Sequence, residues 1–231
     1  MKKISLVCSL KNEARLLDRG LTEIEAFIQR IPLAWEIILV IDPSQDDSLA
    51  KAQAQRSEKI QILVLPMSST QGRGPSLKAG LQAATGDYVM IFPLDFTIPL
   101  AELFQFLQEL VVHPEIDMVI GNRKTSRKKQ VATARSTWHW TLEKIILEKL
   151  SRSKVSAQWK FQDPLCPYLI FQNTSLQKIL PSIKMKSWYF TPEILAAATL
   201  QNFKIAEAPI LSRDTRPSQI PIVREYLFHL F

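Results

Sequence analysis

The chain has 231 residues, enough for one sizeable core, and its 46% hydrophobic and 22% charged residues exclude a disordered protein. Its formal charge of +7 and pI near 9.4 suit an anionic partner: a phosphate-rich ligand, an anionic membrane surface or nucleic acid. No run of about 18 apolar residues occurs, so no membrane-spanning helix is expected. The opening MKKISLVCSLKNEA has too short an apolar run for a secretory signal before charge returns at Lys11 and Glu13.

Residues 4–9 are apolar and β-prone and predict a first strand, followed by a helix over 11–30. Residues 36–42 (EIILVID) read as a buried strand that stops at Pro43 and Ser44, with Asp46 as the cap of a short helix over 48–55. Residues 60–66 make a third strand. The turn Gly72, Arg73, Gly74, Pro75 precedes a helix over 76–84, Pro75 being suited to a first helical turn. Gly86 closes that helix, and 87–92 (DYVMIF) form a fourth strand. A turn over 93–99 leads to a helix over 100–112 and a strand over 117–121. A basic, polar loop follows, then an amphipathic stretch over 137–150, a strand over 168–171, a helix over 192–201 and a strand over 204–210.

Strands alternating with helices of this length predict right-handed βαβ units and an α/β fold with a mostly parallel sheet. The expected organisation is one domain over 1–218, with halves 1–122 and 123–218, and an apolar tail over 219–231. In open α/β sheets ligands sit at the carboxyl ends of the strands. The unusual polar residues of this sequence fall there: 9–13, 42–47, 72–75, 93–97 and 121–123. Cys8 and Cys166 lie in apolar segments and read as buried free thiols in a reducing compartment. His113, His139 and His229 have no metal-ligand spacing and read as structural.

Several segments together resemble glycosyltransferase family two, in particular the dolichyl-phosphate and polyprenyl-phosphate sugar synthases. SLVCSLKNEARLL resembles the family's opening strand ending in an Asn-Glu pair, and EIILVIDPSQDDS its Asp-Gly-Ser-x-Asp turn. GRGPSLKAGLQAATGDYVMIFPLD resembles its glycine turn, helix and acidic strand end, and DMVIGNRK its Asp-x-Val-x-Gly-Ser-Arg segment. DPLCPYLIF, WYFTPEILAAA and KIAEAPI follow in the family's order.

The resemblance implies a GT-A fold, a nucleotide-diphosphate sugar, a divalent Mg²⁺ or Mn²⁺ at a weakened site, and inverting transfer to a polyprenyl phosphate. Carried over by position, Ser9, Glu13, Asp42 and Arg73 belong to the nucleotide-sugar site. Asp95 takes the metal and diphosphate, and Arg123 meets phosphate charge. Ser136 and Arg213 fall, with Arg123, where the acceptor phosphate is engaged, and Asp163 supports that side; Asp95 and Asp163 are the catalytic candidates. A phosphate acceptor is already an anion and needs little help from a general base, and no base motif is evident.

The sequence departs from the family at several points. The Asp-x-Asp motif reads Pro93, Leu94, Asp95, and the position often held by Gln is Thr97. Ser9, Lys11, Pro43 and Pro167 replace other family residues. A relative that binds nucleotide-sugar or a protein partner without turnover is therefore the alternative. Asp42 and Asp46 also read as turn and cap residues, Arg123 as a surface charge, and Asp163 as a turn initiator before Pro164. A nucleotidyltransferase lacks its glycine-rich loop here, and no nucleic-acid module is recognised. The basic block Arg123, Lys124, Arg127, Lys128, Lys129, Arg135 and the tail IPIVREYLFHLF suggest a cytoplasmic protein held peripherally on the membrane's cytoplasmic face. Packing on the domain and docking on a membrane-embedded partner subunit are the other readings of the tail.

Overall fold

A computed structural model describes residues 2–29, 31–55, 57, 60–68, 73–123, 161–184 and 190–211. Ser136, Arg213, the basic block beyond Arg123, the amphipathic stretch 137–150 and the tail 219–231 lie outside the described residues. Among the described residues, no helix is long and apolar enough to cross a membrane.

The first two apolar runs form β1 (Lys3–Leu10) and β2 (Ala34–Ile41), both almost wholly buried. They are followed in sequence by β3 (Gln61–Pro66), β4 (Tyr88–Ile91), β5 (Met118–Asn122), β6 (Leu169–Gln172) and β7 (Ile205–Pro209). These make one 7-stranded sheet in the order β3-β2-β1-β4-β6-β5-β7. Every pairing is parallel except those of β6, which runs against both β4 and β5. The mostly parallel α/β sheet expected from the sequence is what forms. The inverted β6 is what the sequence did not disclose, since an apolar run carries no sign of its direction.

Helix α1 (Ala14–Ile28) buries Ala14, Leu17, Leu21, Ile24 and Ile28, a spacing of three and four that lays one stripe on the sheet. It begins later than the sequence pattern suggests because Asn12 takes the left-handed conformation, with φ 53°. Helix α2 (Ser48–Ala54) packs beside α1. Helix α3 (Arg73–Ala83) starts three residues before the expected position, with Pro75 inside its first turn. Gly80 lets it settle on β1 and β2: a Cβ there would strike Val7 and come within 2.8 Å of Val40. Helix α4 (Glu102–Val112) packs on β5, β6 and β7. Helix α5 (Asn173–Ile179), which the sequence reading missed, continues into a 3₁₀ turn over Leu180–Ser182, and α6 (Phe190–Leu200) leads to β7.

The chain winds from β1 outward through β2 to β3, then returns through α3 to place β4 on the other side of β1. The loops that leave β1, β2, β4 and β5 all emerge at the carboxyl edge of the sheet, the position that binds ligands in open α/β folds.

The opposite, amino edge carries a buried charge cluster. Glu36 receives the Lys3 ammonium at 2.6 Å, the Thr85 amide at 2.7 Å, the Thr85 hydroxyl at 2.8 Å and the Ser5 hydroxyl. Gly86 closes against the same point, its amide donating to Ser5 Oγ at 2.8 Å. Burial pushes the Glu36 carboxyl up, but the hydrogen bonds from Lys3, Ser5 and Thr85 together outweigh it and hold the group at about 2.

Candidate functional site

The loops that follow β1 and β2 are locked to each other. The Asn12 amide donates to Ser44 Oγ at 3.0 Å, and the Gln45 amide returns a bond to Asn12 Oδ1 at 2.7 Å. Ser48 Oγ accepts the Glu13 amide at 3.0 Å, and Asp46 Oδ2 accepts the Ala14 amide at 3.0 Å. The other Asp46 oxygen takes the Ser48 amide at 3.1 Å and the Ser48 hydroxyl at 2.5 Å. The N-cap of α2 is Asp47, not Asp46. Asp46, one residue earlier, instead accepts the first helical amide of both α2 and the neighbouring α1, and these contacts lower its carboxyl.

Asp42 follows β2 directly and is buried. Its Oδ1 accepts the hydroxyl of Ser76, in the first turns of α3, at 2.5 Å. Burial raises its carboxyl, and the Ser76 bond and the charge of Lys11 oppose that rise. Ser9, partly buried near the end of β1, is in register with Val40. Glu13 and Arg73 both lie within electrostatic range of the buried Cys8 thiol, which burial pushes far up. The Arg73 guanidinium also sits 5.9 Å from the Phe190 ring, joining the start of α3 to the start of α6.

Asp95 leaves the sheet after β4, where the Phe92 amide bonds Val7 O at 3.0 Å and keeps the loop beside the end of β1. Pro93 and Leu94 are buried, and Leu94 rests on Gly20 of α1. Asp95 Oδ1 accepts both the amide of Thr97 at 3.1 Å and its hydroxyl at 3.0 Å. Thr97 Oγ1 in turn lies 3.1 Å from the Tyr168 hydroxyl. Between them Phe96 adopts φ 50°, a left-handed conformation rare for an aromatic residue and one that concentrates at functional loops. For a hard cation the described residues thus offer an oxygen donor, Asp95, already oriented. Among the described residues there is no group of three His, Cys, Asp or Glu that could enclose a metal ion.

Arg123, the candidate phosphate contact, follows β5 and is held by Asp163: Nε and Nη2 each reach a carboxylate oxygen at 2.7 Å, and the Arg123 amide adds a third bond at 3.0 Å. Asp163 is buried and Arg123 nearly so, with side chains 3% and 17% exposed. An anion approaching Arg123 would have to use N–H groups other than these two. Beside them Asn122 Nδ2 donates to Glu207 Oε2 at 2.8 Å and Gln162 Oε1 at 3.2 Å, and the Gln162 amide reaches Glu207 Oε1 at 2.7 Å. Two carboxylates therefore pin residues 162–163 to the end of β5. Residues 40 positions apart carry no local signal of such pairing, and Ser76, Tyr168, Asn122 and Glu207 were not read as site residues at all. Gly121 permits the close approach, since a Cβ would lie 2.6 Å from Ile210 and 2.9 Å from Cys166. Ser136 and Arg213 lie outside the described residues.

Residues 5–179 match the model of the family described as glycosyl transferase family 2. A dolichyl-phosphate beta-glucosyltransferase of Trichomonas vaginalis, ALG5A, is 23% identical over 227 residues, covering 95% of this chain and 68% of the relative. Two further relatives are covered over 64% and 35% of their lengths, so the chain spans from about a third to two thirds of the proteins it matches. Among solved structures, mannosyl-3-phosphoglycerate synthase of Rubrobacter xylanophilus superposes with a TM-score of 0.70 at 16% identity, over 99% of this chain and 71% of that one. Glucosyl-3-phosphoglycerate synthase of Mycobacterium tuberculosis, solved with Mn²⁺, UDP-glucose and glycerol 3-phosphate, gives 0.68 at 16% identity, over 99% and 79%. These neighbours share the GT-A architecture, and with a family match over most of its length the chain belongs to glycosyl transferase family 2.

Proposed function

We propose that this domain transfers a sugar from a nucleotide-diphosphate sugar to a polyprenyl phosphate. The observation that carries this reading is the position of Asp42, Asp95 and Arg123, each just past the carboxyl end of a strand (β2, β4 and β5) on one sheet edge. Relatives named dolichyl-phosphate beta-glucosyltransferase, and a neighbour solved with UDP-glucose and Mn²⁺, support the acceptor and donor classes.

In this reading Ser9, Glu13 and Asp42 hold the base and ribose, and Arg73 and Arg123 face the diphosphate. Asp163 fixes Arg123, while Ser136, Arg123 and Arg213 receive the acceptor phosphate. Asp95 suits a Mg²⁺ or Mn²⁺ shared with the donor diphosphate, because that chemistry needs hard oxygen ligands and tolerates several waters. Such an ion would supply charge neutralisation as the diphosphate departs. The acceptor's phosphate oxygen forms the new bond to the anomeric carbon while the bond to the nucleoside diphosphate breaks, with inversion. No proton need be removed, because a phosphate acceptor is already an anion. The basic block from Arg123 to Arg135 and the tail would bring the site to a cytoplasmic membrane surface holding the lipid, and flotation with anionic liposomes at low salt checks this.

Calorimetric titration with UDP-glucose, UDP-N-acetylglucosamine and GDP-mannose, with Mn²⁺ or Mg²⁺ and then with chelator, tests the reading. Cation-dependent binding of one donor, followed by its transfer to a polyprenyl phosphate, is the expected result. Pro93, in place of an acid, favours a second reading in which the donor binds without turnover. Binding with no transfer to any lipid phosphate would select it, and no binding at all would remove both.

A further inference from the structure

Asp95 lacks a neighbouring acid at Pro93, yet its carboxylate is held by a hydrogen-bonded chain that reaches into the core. We infer that Tyr168 is a positioning residue for Asp95, acting through the Thr97 hydroxyl to aim that carboxylate at the cation–diphosphate. The inference rests on the proposed nucleotide-sugar reading and names a residue that reading does not use.

The direction of the chain follows from counting donors. Thr97 Oγ1 has one proton and gives it to Asp95 Oδ1 at 3.0 Å. The 3.1 Å contact between Thr97 Oγ1 and Tyr168 must therefore be donated by the phenol. Tyr168 keeps that proton: burial pushes its hydroxyl up, and the charge of Asp95 adds to the push.

The ring is as fixed as the hydroxyl. Tyr168 is 1% exposed and meets Phe92 edge-on at 5.9 Å, while Phe92 meets Phe96 at 5.8 Å. Tyr168 immediately precedes β6, whose first residue, Leu169, is opposite Ile91 at the end of β4. The antiparallel insertion of β6 is thus what carries the phenol beneath the loop after β4. Leu94 against Gly20, Phe96 against Phe92 and Thr97 against Tyr168 hold Asp95 from three directions. Partners that orient a metal ligand from behind commonly change metal affinity 10–100-fold when removed.

The test uses the full chain, Tyr168→Phe, and whichever of UDP and GDP the wild type binds more tightly. Binding is followed by calorimetry as Mn²⁺ is titrated, and again in chelator. The expected result is a rise of roughly 10-fold in the Mn²⁺ needed for half-saturation, with cation-free nucleotide affinity unchanged. Thr97→Val should reproduce the shift, Thr97→Ser should restore the wild-type dependence, and joining Tyr168→Phe to Thr97→Val should add nothing. A role confined to packing would weaken both bindings alike or neither. That result, or additive effects of the two substitutions, would overturn the inference while leaving the proposed function standing. A wild type with no Mn²⁺-dependent nucleotide binding would overturn the proposed function and the inference with it.

Discussion

The sequence points to Arg123 as a phosphate contact and to Asp163 as support for the acceptor side, and the structure pairs the two directly. Removing one member of such a pair leaves a buried charge without its counter-ion. Asp163→Asn should therefore cost about 3 kcal/mol of stability, measured by urea unfolding, and an Arg123→Lys change should fail to preserve it because an ammonium cannot make the parallel pair. Asp95→Asn, in contrast, should leave the urea midpoint nearly unchanged and abolish cation-dependent nucleotide binding. Glu36 gives a pH signature unrelated to the site. An unfolded glutamate takes its proton near 4.5, whereas the folded one, held by Lys3, Ser5 and Thr85, takes it only at about 2. Between those values the unfolded chain binds more protons, so acid favours unfolding. The stabilisation, on the order of 3 kcal/mol, is fully present above pH 4.5 and lost as the pH falls through 2. Urea midpoints measured across that range should fall steeply for the wild type and much less for Glu36→Gln.

At the scale of elements, legibility followed the kind of signal each element carries. β1 and β2 are unbroken apolar runs ended by polar or proline residues, and such runs mark buried parallel strands whatever surrounds them. α1 announces itself by the spacing of five apolar residues. α5 does not: its NTSLQKI is seven residues long, polar at five positions, and makes no side-chain cap bond. What fixes it is tertiary, including Ser175 donating to Asp117 at 2.5 Å and Asn173 Nδ2 to Gly86 O at 2.8 Å. The candidate site divides the same way. Asp42, Asp95 and Arg123 were legible because each stands just past a strand, but Ser76, Tyr168 and Glu207 became visible only when distant segments met. Helix seating is also an element-scale property, and Gly80 is where it can be tested. Gly80→Ala should force α3 off Val7 and Val40, costing roughly 2 kcal/mol and lowering Tm by about 6 °C, as scanning calorimetry would record. Adding Val7→Ala should recover part of that loss.

For the whole molecule, the core runs without a break beneath the sheet from α1 to α6, and both cysteines are inside it. They are free and fully buried, as the sequence suggests. Burial pushes the Cys166 thiol up to about 12 and Cys8 higher still, so neither is a thiolate at working pH. Titration with a chromogenic disulfide should find no reactive thiol among these two in the native protein and should detect both in denaturant.

The inverted strand β6 has a consequence for the order of assembly on the ribosome. Strands β1 to β4 can associate as soon as residue 91 has emerged, but the far edge of β4 has no partner until residues 169–172 are made. Among the described residues β5 does not pair with β4 and is joined to it through β6. The nascent chain therefore carries the apolar edge of β4 without its partner β6 through the synthesis of residues 92–168, and an unpaired edge is the kind that recruits foreign strands. Protection of that edge during translation, rather than the stability of the finished fold, is where this architecture is most exposed to failure.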